Sequence, residues 1–356
     1  MRCLIITSHS PAFEEYSYYH DWLMGFVDHP NLQTHVLDIQ SGKTILGGFT
    51  LLGRYDLIAF LHNTFPTLRD SPRLKILRVM LSKVRGPRVF FLNNEFRALD
   101  IKAGMAQYLG AETLISQLNH DDAQVLYESL WPHRILSLPY GFDPQTFKPV
   151  KAASEREIDI GFRGDYYPAY VGHDDRDLLL NQFDDKAKES RTLKTDIQVG
   201  QRLDRLGWAN FLNNCRSLIG HEAGSMRLEA DENIRHFLNA QVERLAPENY
   251  RALVLAMRQT GVFDPPPSGR IAAPRNFEAM GTKTVQILLP GRYNDMLEAS
   301  VHYIELQRDF SNIEAVLDTL FDESAYAKIA ERAHADALAL HTYQQRVNTL
   351  MGHIQG

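Results

Sequence analysis

Charged and hydroxyl-bearing side chains gather at four places in the sequence, each directly after an apolar run short enough to be a buried strand. Ligands of open parallel sheets bind beyond the carboxyl ends of the strands, so chemistry is expected at such positions. The densest cluster is Pro274-Arg-Asn-Phe-Glu-Ala-Met-Gly-Thr-Lys-Thr-Val285. It reads as the opening of a short helix, a glycine stop and a further strand, with proline in the first helical turn. Arg275 and Asn276 then lie at the helix N-terminus, where unsatisfied backbone N–H groups and the helix dipole favour an anion such as a diphosphate. Glu278 follows one turn later on the same face. A carboxylate there suits two hydroxyl donors, as a ribose presents. An i to i+3 ion pair between Arg275 and Glu278 is the competing structural reading.

The second cluster is Gly161-Phe-Arg-Gly-Asp165. Gly161 and Gly164 would let the backbone approach a ligand, and Arg163 offers a fork of donors to phosphate oxygens, although a simple turn explains the glycines equally well. The third, Gly220-His-Glu-Ala-Gly-Ser225, places His221, Glu222, Gly224 and Ser225 where a sugar could bind, with a capped turn as the plain alternative. The fourth lies in the first half: Asn93-Asn-Glu-Phe-Arg97, His9 and Ser10, and His62 and Asn63 each follow a candidate strand. Glu95 is the candidate general base, unless Arg97 pairs with it, and His9, Asn63 and Asn94 are candidate acceptor contacts facing the second half across a cleft.

These residues need strands to carry them. Short apolar runs alternate with amphipathic segments, the pattern of strand-helix-strand units around parallel sheets. Strands are predicted at 3–7, 34–39, 56–61, 88–92, 113–116 and 135–138, and again at 195–199, 217–220, 284–289 and 303–305, with a further apolar run at 157–164. Helices are predicted over 18–27 and 71–84, the latter with Ser71 as N-cap and Pro72 first. A chain of 356 residues exceeds the usual single core, so two domains are expected. The proline-rich stretch after residue 138 marks the boundary. The division is therefore 1–140 as a first α/β domain, 141–156 as linker, and 157–356 as a second. That domain carries a helical insertion at 226–262, a Pro-rich turn at 263–269 and closing C-terminal helices.

Composition narrows the function. The chain is 44% hydrophobic and 23% charged, with a formal net charge of -6, and carries no basic block to track a nucleic acid. Its two cysteines, Cys3 and Cys215, lie in no CxxC or Cys/His spacing, so neither a disulfide framework nor a zinc site is expected. The apolar start is too short for a secretory signal, and no window approaches a membrane span. A cytoplasmic protein is expected, with peripheral membrane contact left open. No GxGxxG follows the first strand of either half, which disfavours a dinucleotide oxidoreductase.

Four segments together resemble the GT-B glycosyltransferases of the spore-maturation type. They are Leu138-Pro-Tyr-Gly-Phe-Asp-Pro-Gln-Thr-Phe-Lys-Pro149, Gly161-Phe-Arg-Gly164, Arg275-Asn-Phe-Glu-Ala-Met-Gly281 and His341-Thr-Tyr-Gln-Gln-Arg346. The resemblance implies an α/β fold of two Rossmann-like domains, a nucleotide-sugar donor held by the second as co-substrate, a glycan or other hydroxyl acceptor held by the first, and neither cofactor nor obligatory metal. It puts Glu278 on the ribose and Arg163 and Arg275 on the diphosphate. Many retaining members carry a second glutamate eight positions before the first, and here that position is Arg270. The sugar-facing carboxylate is then absent or comes from another loop, such as Glu222, so retention or inversion stays open. The expected activity is glycosyl transfer in surface polysaccharide or glycoconjugate synthesis, with a sugar-nucleotide epimerase and a non-catalytic sugar-binding subunit as rivals.

Overall fold

Runs of Val, Ile, Leu and Phe too short for helices become parallel strands, the inner ones buried on both faces as doubly covered sheets require, while edge strands such as Thr195–Val199 stay half-buried. The computed structural model describes residues 1–356 apart from Pro11, Ala12, Glu14, Glu15, Arg191, Glu243, Pro265 and Gly356. Pro265 of the expected Pro-rich turn and Glu243 of the expected insertion thus lie outside the described residues. The chain divides into two compact units, Met1–Pro139 with Leu228–Glu232 and Tyr343–Gly356, and Tyr140–Arg227 with Asn233–Thr342.

In the first unit, β1 (Arg2–Thr7), β2 (Gln33–Asp38), β4 (Leu57–Phe60), β6 (Arg88–Phe91), β7 (Thr113–Ser116) and β8 (Arg134–Ser137) form one sheet in the order β2-β1-β4-β6-β7-β8. Every pairing is parallel, with Ile5 opposite Val36 on one side and Ala59 on the other. Two-residue strands β3 (Gly53–Arg54) and β5 (Val84–Arg85) pair separately. Helices α1 (Ser17–Val27), α2 (Arg73–Leu81), α3 (Leu99–Tyr108) and α4 (His120–Tyr127) lie between strands. The helix expected over 71–84 stops at Leu81. Arg88 reaches back to the carbonyls of Leu81 at 2.7 Å and Val84 at 3.0 Å, satisfying acceptors that a longer helix would have used internally.

The second unit repeats the logic with β9 (Ile158–Gly164), β10 (Thr195–Val199), β11 (Cys215–Gly220), β12 (Val285–Leu288) and β13 (Ile304–Glu305), all parallel in the order β10-β9-β11-β12-β13. Its helices are α5 (Asp175–Glu189), α6 (Arg205–Asn214), α7 (Asn233–Val242), α8 (Pro247–Gln259), α9 (Pro274–Gly281), α10 (Ile313–Phe321) and α11 (Glu323–Leu340). α7 and α8 form the insertion and share a small apolar cluster of Leu238, Val254 and Phe263. Among the described residues no helix is long and apolar enough to cross a membrane.

Three segments depart from the expected division. The stretch 141–156 is not a detached linker: Phe142 and Phe147 are fully buried, and the Phe142 N–H donates to the His341 carbonyl at 3.1 Å, which anchors it in the second unit. Leu228–Glu232, inside the insertion, clusters with the first unit, where Glu232 Oε1 accepts the Leu99 N–H at 2.8 Å and closes the start of α3. The last helix, α12 (Tyr343–Gln355), does not close the second unit but packs in the first. Tyr343, Val347, Leu350 and Met351 join Trp22, Phe26 and Phe91 in one core, while His29 Nε2 meets Asn348 Oδ1 at 2.9 Å. Leu350→Ala is expected to destabilise the first unit by about 2–5 kcal/mol, the usual range for a buried leucine, read from its chemical-denaturation midpoint.

Candidate functional site

Every strand of the second sheet points the same way, so its loops collect at one carboxyl edge. α9 begins there. Asn276 closes its first turn: Oδ1 accepts the Ala273 N–H at 2.8 Å and Nδ2 donates to Gln286 Oε1 at 2.8 Å. That side chain is committed to the helix start rather than presented to a ligand. Arg275, one position earlier, donates from Nη1 to the Arg163 carbonyl at 3.0 Å, and its guanidinium lies 5.7 Å from the Phe162 ring and 5.9 Å from the Trp208 ring. No ion pair joins it to Glu278, which is buried and accepts the Trp208 Nε1–H at 2.7 Å.

A second guanidinium shares the Phe162 ring. Arg176, in the first turn of α5, lies 5.5 Å from that ring and 3.7 Å over Tyr167, and donates to the Asp165 carbonyl. Among the described residues neither Arg176 nor Arg275 has a carboxylate within ion-pair distance. Burial, reinforced by Arg176, pushes the Arg275 pKa down to about 10. Two desolvated cations without counter-charge are costly unless an anion joins them. Arg176 was not singled out in the sequence, where it is one arginine in the polar start of a helix. Only the fold brings it beside Arg275.

The Gly161–Gly164 cluster is used differently from the expectation. Arg163 Nη2 pairs with Asp196 Oδ2 at 2.6 Å, Nη1 donates to the Asp196 carbonyl at 2.9 Å, and the guanidinium stacks 4.0 Å over Phe211. Its fork is spent inside the protein. Gly161 is a packing position, since a Cβ there would come within 2.4 Å of Cys215 Sγ. Gly164 does serve the edge: a Cβ would meet the Phe162 ring at 3.1 Å and Arg275 at 3.5 Å.

After β11 the loop turns back on residues 269–271. Gly224 has φ 92°, and a Cβ there would come 1.9 Å from the Gly269 carbonyl, while the Ser225 carbonyl accepts the Gly269 N–H at 3.0 Å. Gly224 and Ser225 thus shape a backbone pairing, which delivers Arg270 to the buried acids. Arg270 Nε donates to Glu222 Oε2 at 3.1 Å and Nη2 to Asp175 Oδ2 at 2.7 Å. Glu222 Oε1 also accepts the Tyr293 N–H at 2.8 Å. Arg270 therefore neutralises Glu222, the carboxylate expected from the sequence to face the sugar. His221 is buried beside it, with Nδ1 on the Glu222 carbonyl.

In the first unit the carboxyl edge holds the other candidates. Glu95 is buried and fully engaged, accepting from Gln117 N at 2.7 Å, Ser116 Oγ at 2.8 Å and the Tyr127 hydroxyl at 2.7 Å. Burial raises its pKa against those hydrogen bonds and the nearby Lys102, and Arg97 is not its partner. It ties the loop after β6 to β7 and α4. Asn63 is likewise pinned, with Nδ2 donating to Thr7 Oγ1 and the Ser8 carbonyl, both at 2.9 Å. His9 and Asn94 are reachable: His9 is exposed with Nδ1 3.2 Å from Asp38 Oδ2, and Asn94 is exposed with φ 47°, its carbonyl accepting from Lys102 Nζ at 2.8 Å.

No family model and no curated protein matches the sequence. Solved structures do match over the whole length. HepE from Anabaena, in complex with UDP-glucose, aligns with a TM-score of 0.55 at 12% identity, covering 99% of this chain and 100% of that one. An α-glucosyltransferase in complex with UDP-glucose and DNA containing an abasic site gives 0.57 at 8%, covering 100% and 99%. Sucrose-phosphate synthase from Thermosynechococcus elongatus gives 0.54 at 8%, covering 99% and 98%. At such identities what is shared is the fold, the α/β architecture of the GT-B glycosyltransferases.

The first-unit edge also carries a pH-dependent term. His62 is buried between Trp22 and Phe91, and desolvation lowers its pKa to about 3. A histidine whose folded pKa is depressed costs stability on acidification, because only the unfolded chain takes up the proton below about pH 6.5. Between pH 6 and 4, His62→Gln is expected to flatten the fall in unfolding free energy by up to about 1.4 kcal/mol per pH unit, measured by denaturant titration at each pH.

Proposed function

We propose that the chain is a glycosyltransferase that moves a sugar from a nucleotide-diphosphate donor to an acceptor hydroxyl, with the donor at the carboxyl edge of the second sheet. The observation that carries this reading is the pair Arg176 and Arg275, a buried and a half-buried guanidinium on one ring with no carboxylate at ion-pair distance among the described residues. A diphosphate supplies the missing counter-charge. The N-terminus of α9 adds its dipole, and Glu278, oriented by Trp208, accepts the ribose hydroxyls. The complexes with UDP-glucose among the structural neighbours support a uridine donor.

In the reaction the bond between the anomeric carbon and the diphosphate oxygen breaks, the electron pair leaves with the diphosphate, and the acceptor oxygen bonds to the anomeric carbon. Fixed guanidiniums stabilise the charge that develops on the leaving group, so this step needs no metal at the diphosphate. The acceptor proton goes to the leaving phosphate or to a base. We assign the acceptor to a glycan of surface-polysaccharide or glycoconjugate synthesis and retain the spore-maturation-type grouping on the motif residues given above. Cys3 and Cys215 are unpaired and buried, which suits the reducing cytoplasm. One observation favours a second reading, a donor-binding subunit without catalysis: both carboxylate candidates, Glu95 and Glu222, are fully occupied by internal partners.

Calorimetry with UDP, GDP, ADP, CMP and dTDP should find one nucleotide that saturates. Arg176→Ala and Arg275→Ala should each weaken it about 10–100-fold, the loss of one or two charge-assisted hydrogen bonds, while Arg163→Ala leaves it within about threefold. Absence of saturable binding, or binding indifferent to Arg275, sinks the assignment. Acceptor-dependent release of the nucleoside diphosphate separates transfer from both epimerisation and mere binding.

A further inference from the structure

Three buried side chains of the second unit converge apart from the two arginines assigned to the diphosphate. His173 lies just before α5, Asp175 opens that helix, and His221 follows β11. One ligand atom from each lies within 4.8 Å of the others, and His173 Nδ1 is 3.7 Å from Asp175 Oδ2. The two imidazoles meet edge to face at 5.3 Å, with Tyr167 against both at 5.6 and 5.4 Å.

Tautomers decide what this cluster can hold. His173 Nε2 stands 3.0 Å from the Gly224 carbonyl, and His221 Nδ1 stands 2.6 Å from the Glu222 carbonyl. A carbonyl only accepts, so each of those nitrogens carries its ring's proton. His173 Nδ1 and His221 Nε2 therefore present bare lone pairs, and both are buried with no hydrogen-bond partner among the described residues. Two lone pairs cannot bond each other, and Asp175 adds a third electron-pair donor. An unanswered buried acceptor is costly, so the native state gains from whatever fills this point.

The geometry points to a site for a zinc-class divalent ion held by His173 Nδ1, His221 Nε2 and Asp175. Two neutral imidazoles and a carboxylate select zinc or cobalt over magnesium or calcium. The outer shell is already built. Each ring donates its other N–H to a backbone carbonyl, and Asp175 accepts from Arg270 Nη2 at 2.7 Å and Arg308 Nη1 at 2.7 Å, each oxygen keeping a further lone pair. Asp175 and Glu222 offset the charges of Arg270 and Arg308. Bonds of about 2.0–2.1 Å put tetrahedral ligands roughly 3.3 Å apart, so side-chain shifts of about 1 Å close the site. This revises the expectation drawn from cysteine and histidine spacing, because the third ligand comes from a separate strand end. It does not rest on glycosyl transfer.

The test uses the full chain without a histidine tag. Dialysed against zinc and then against buffer, it should retain about one equivalent per chain by plasma mass spectrometry, and cobalt(II) should give the intense visible bands of a four-coordinate site that zinc then bleaches. His221→Ala and Asp175→Asn should weaken zinc binding more than about 100-fold, beyond the roughly 10–100-fold of outer-shell changes. Should either variant fail to fold, the wild-type cobalt spectrum alone decides. Weak six-coordinate cobalt bands, zinc lost on dialysis, or zinc retained equally by His221→Ala would overturn the site, and none of these outcomes bears on nucleotide binding.

Discussion

Arg270 holds the carboxyl edge of the second sheet together. One guanidinium binds Asp175 at the start of α5 and Glu222 after β11, while the backbone on either side of it pairs with the loop around Gly224. Two carboxylates this deeply buried are tolerable only because they share a cation, and removing one member of such a network costs about 3–5 kcal/mol. Burial alone raises the Asp175 pKa, yet Arg270 and Arg308 hold it well below the usual carboxylate range. The neighbouring residues inherit their positions from this tie. His221 is oriented through the Glu222 carbonyl, and Tyr293 is fixed through its N–H on Glu222.

The arginines of this edge fall into two kinds. Arg163, Arg202, Arg270 and Arg308 each have a carboxylate within salt-bridge distance. Arg176 and Arg275 have aromatic faces and carbonyl oxygens instead. Aromatic stacking holds a guanidinium in place without neutralising it. Rings of Phe162, Tyr167 and Trp208 thus keep two positive charges fixed and available, where a carboxylate would have quenched them.

The parallel α/β pattern and most strand positions were legible because alternation of short apolar runs with amphipathic segments is a local signal. The start of α9 was legible for the same reason, since Pro274 and the glycine stop lie within one short stretch, whereas Asn276, expected on the donor, is spent on the helix start. What escaped depends on contacts distant in sequence. Arg163 reads from sequence as a phosphate ligand, but Asp196, beside it on the neighbouring strand, takes its fork. Arg176 carried no mark at all, since its meaning lies in the Phe162 ring it shares with Arg275. Glu95 had the right strand-end position for a base, but its donors come from β7 and α4.

The placement of α12 has a consequence for biosynthesis. Trp22 packs against Tyr343 at 5.0 Å, and Val347 and Leu350 complete the core beneath β1 and α1. Domains emerging from the ribosome ordinarily fold in the order of their synthesis. Here the unit made first cannot close until the whole of the second has been translated and the last helix has left the exit tunnel. The sheet of the first unit therefore stays incompletely covered until the residues after Thr342 are made, and the second unit, made later, is the one able to finish folding earlier.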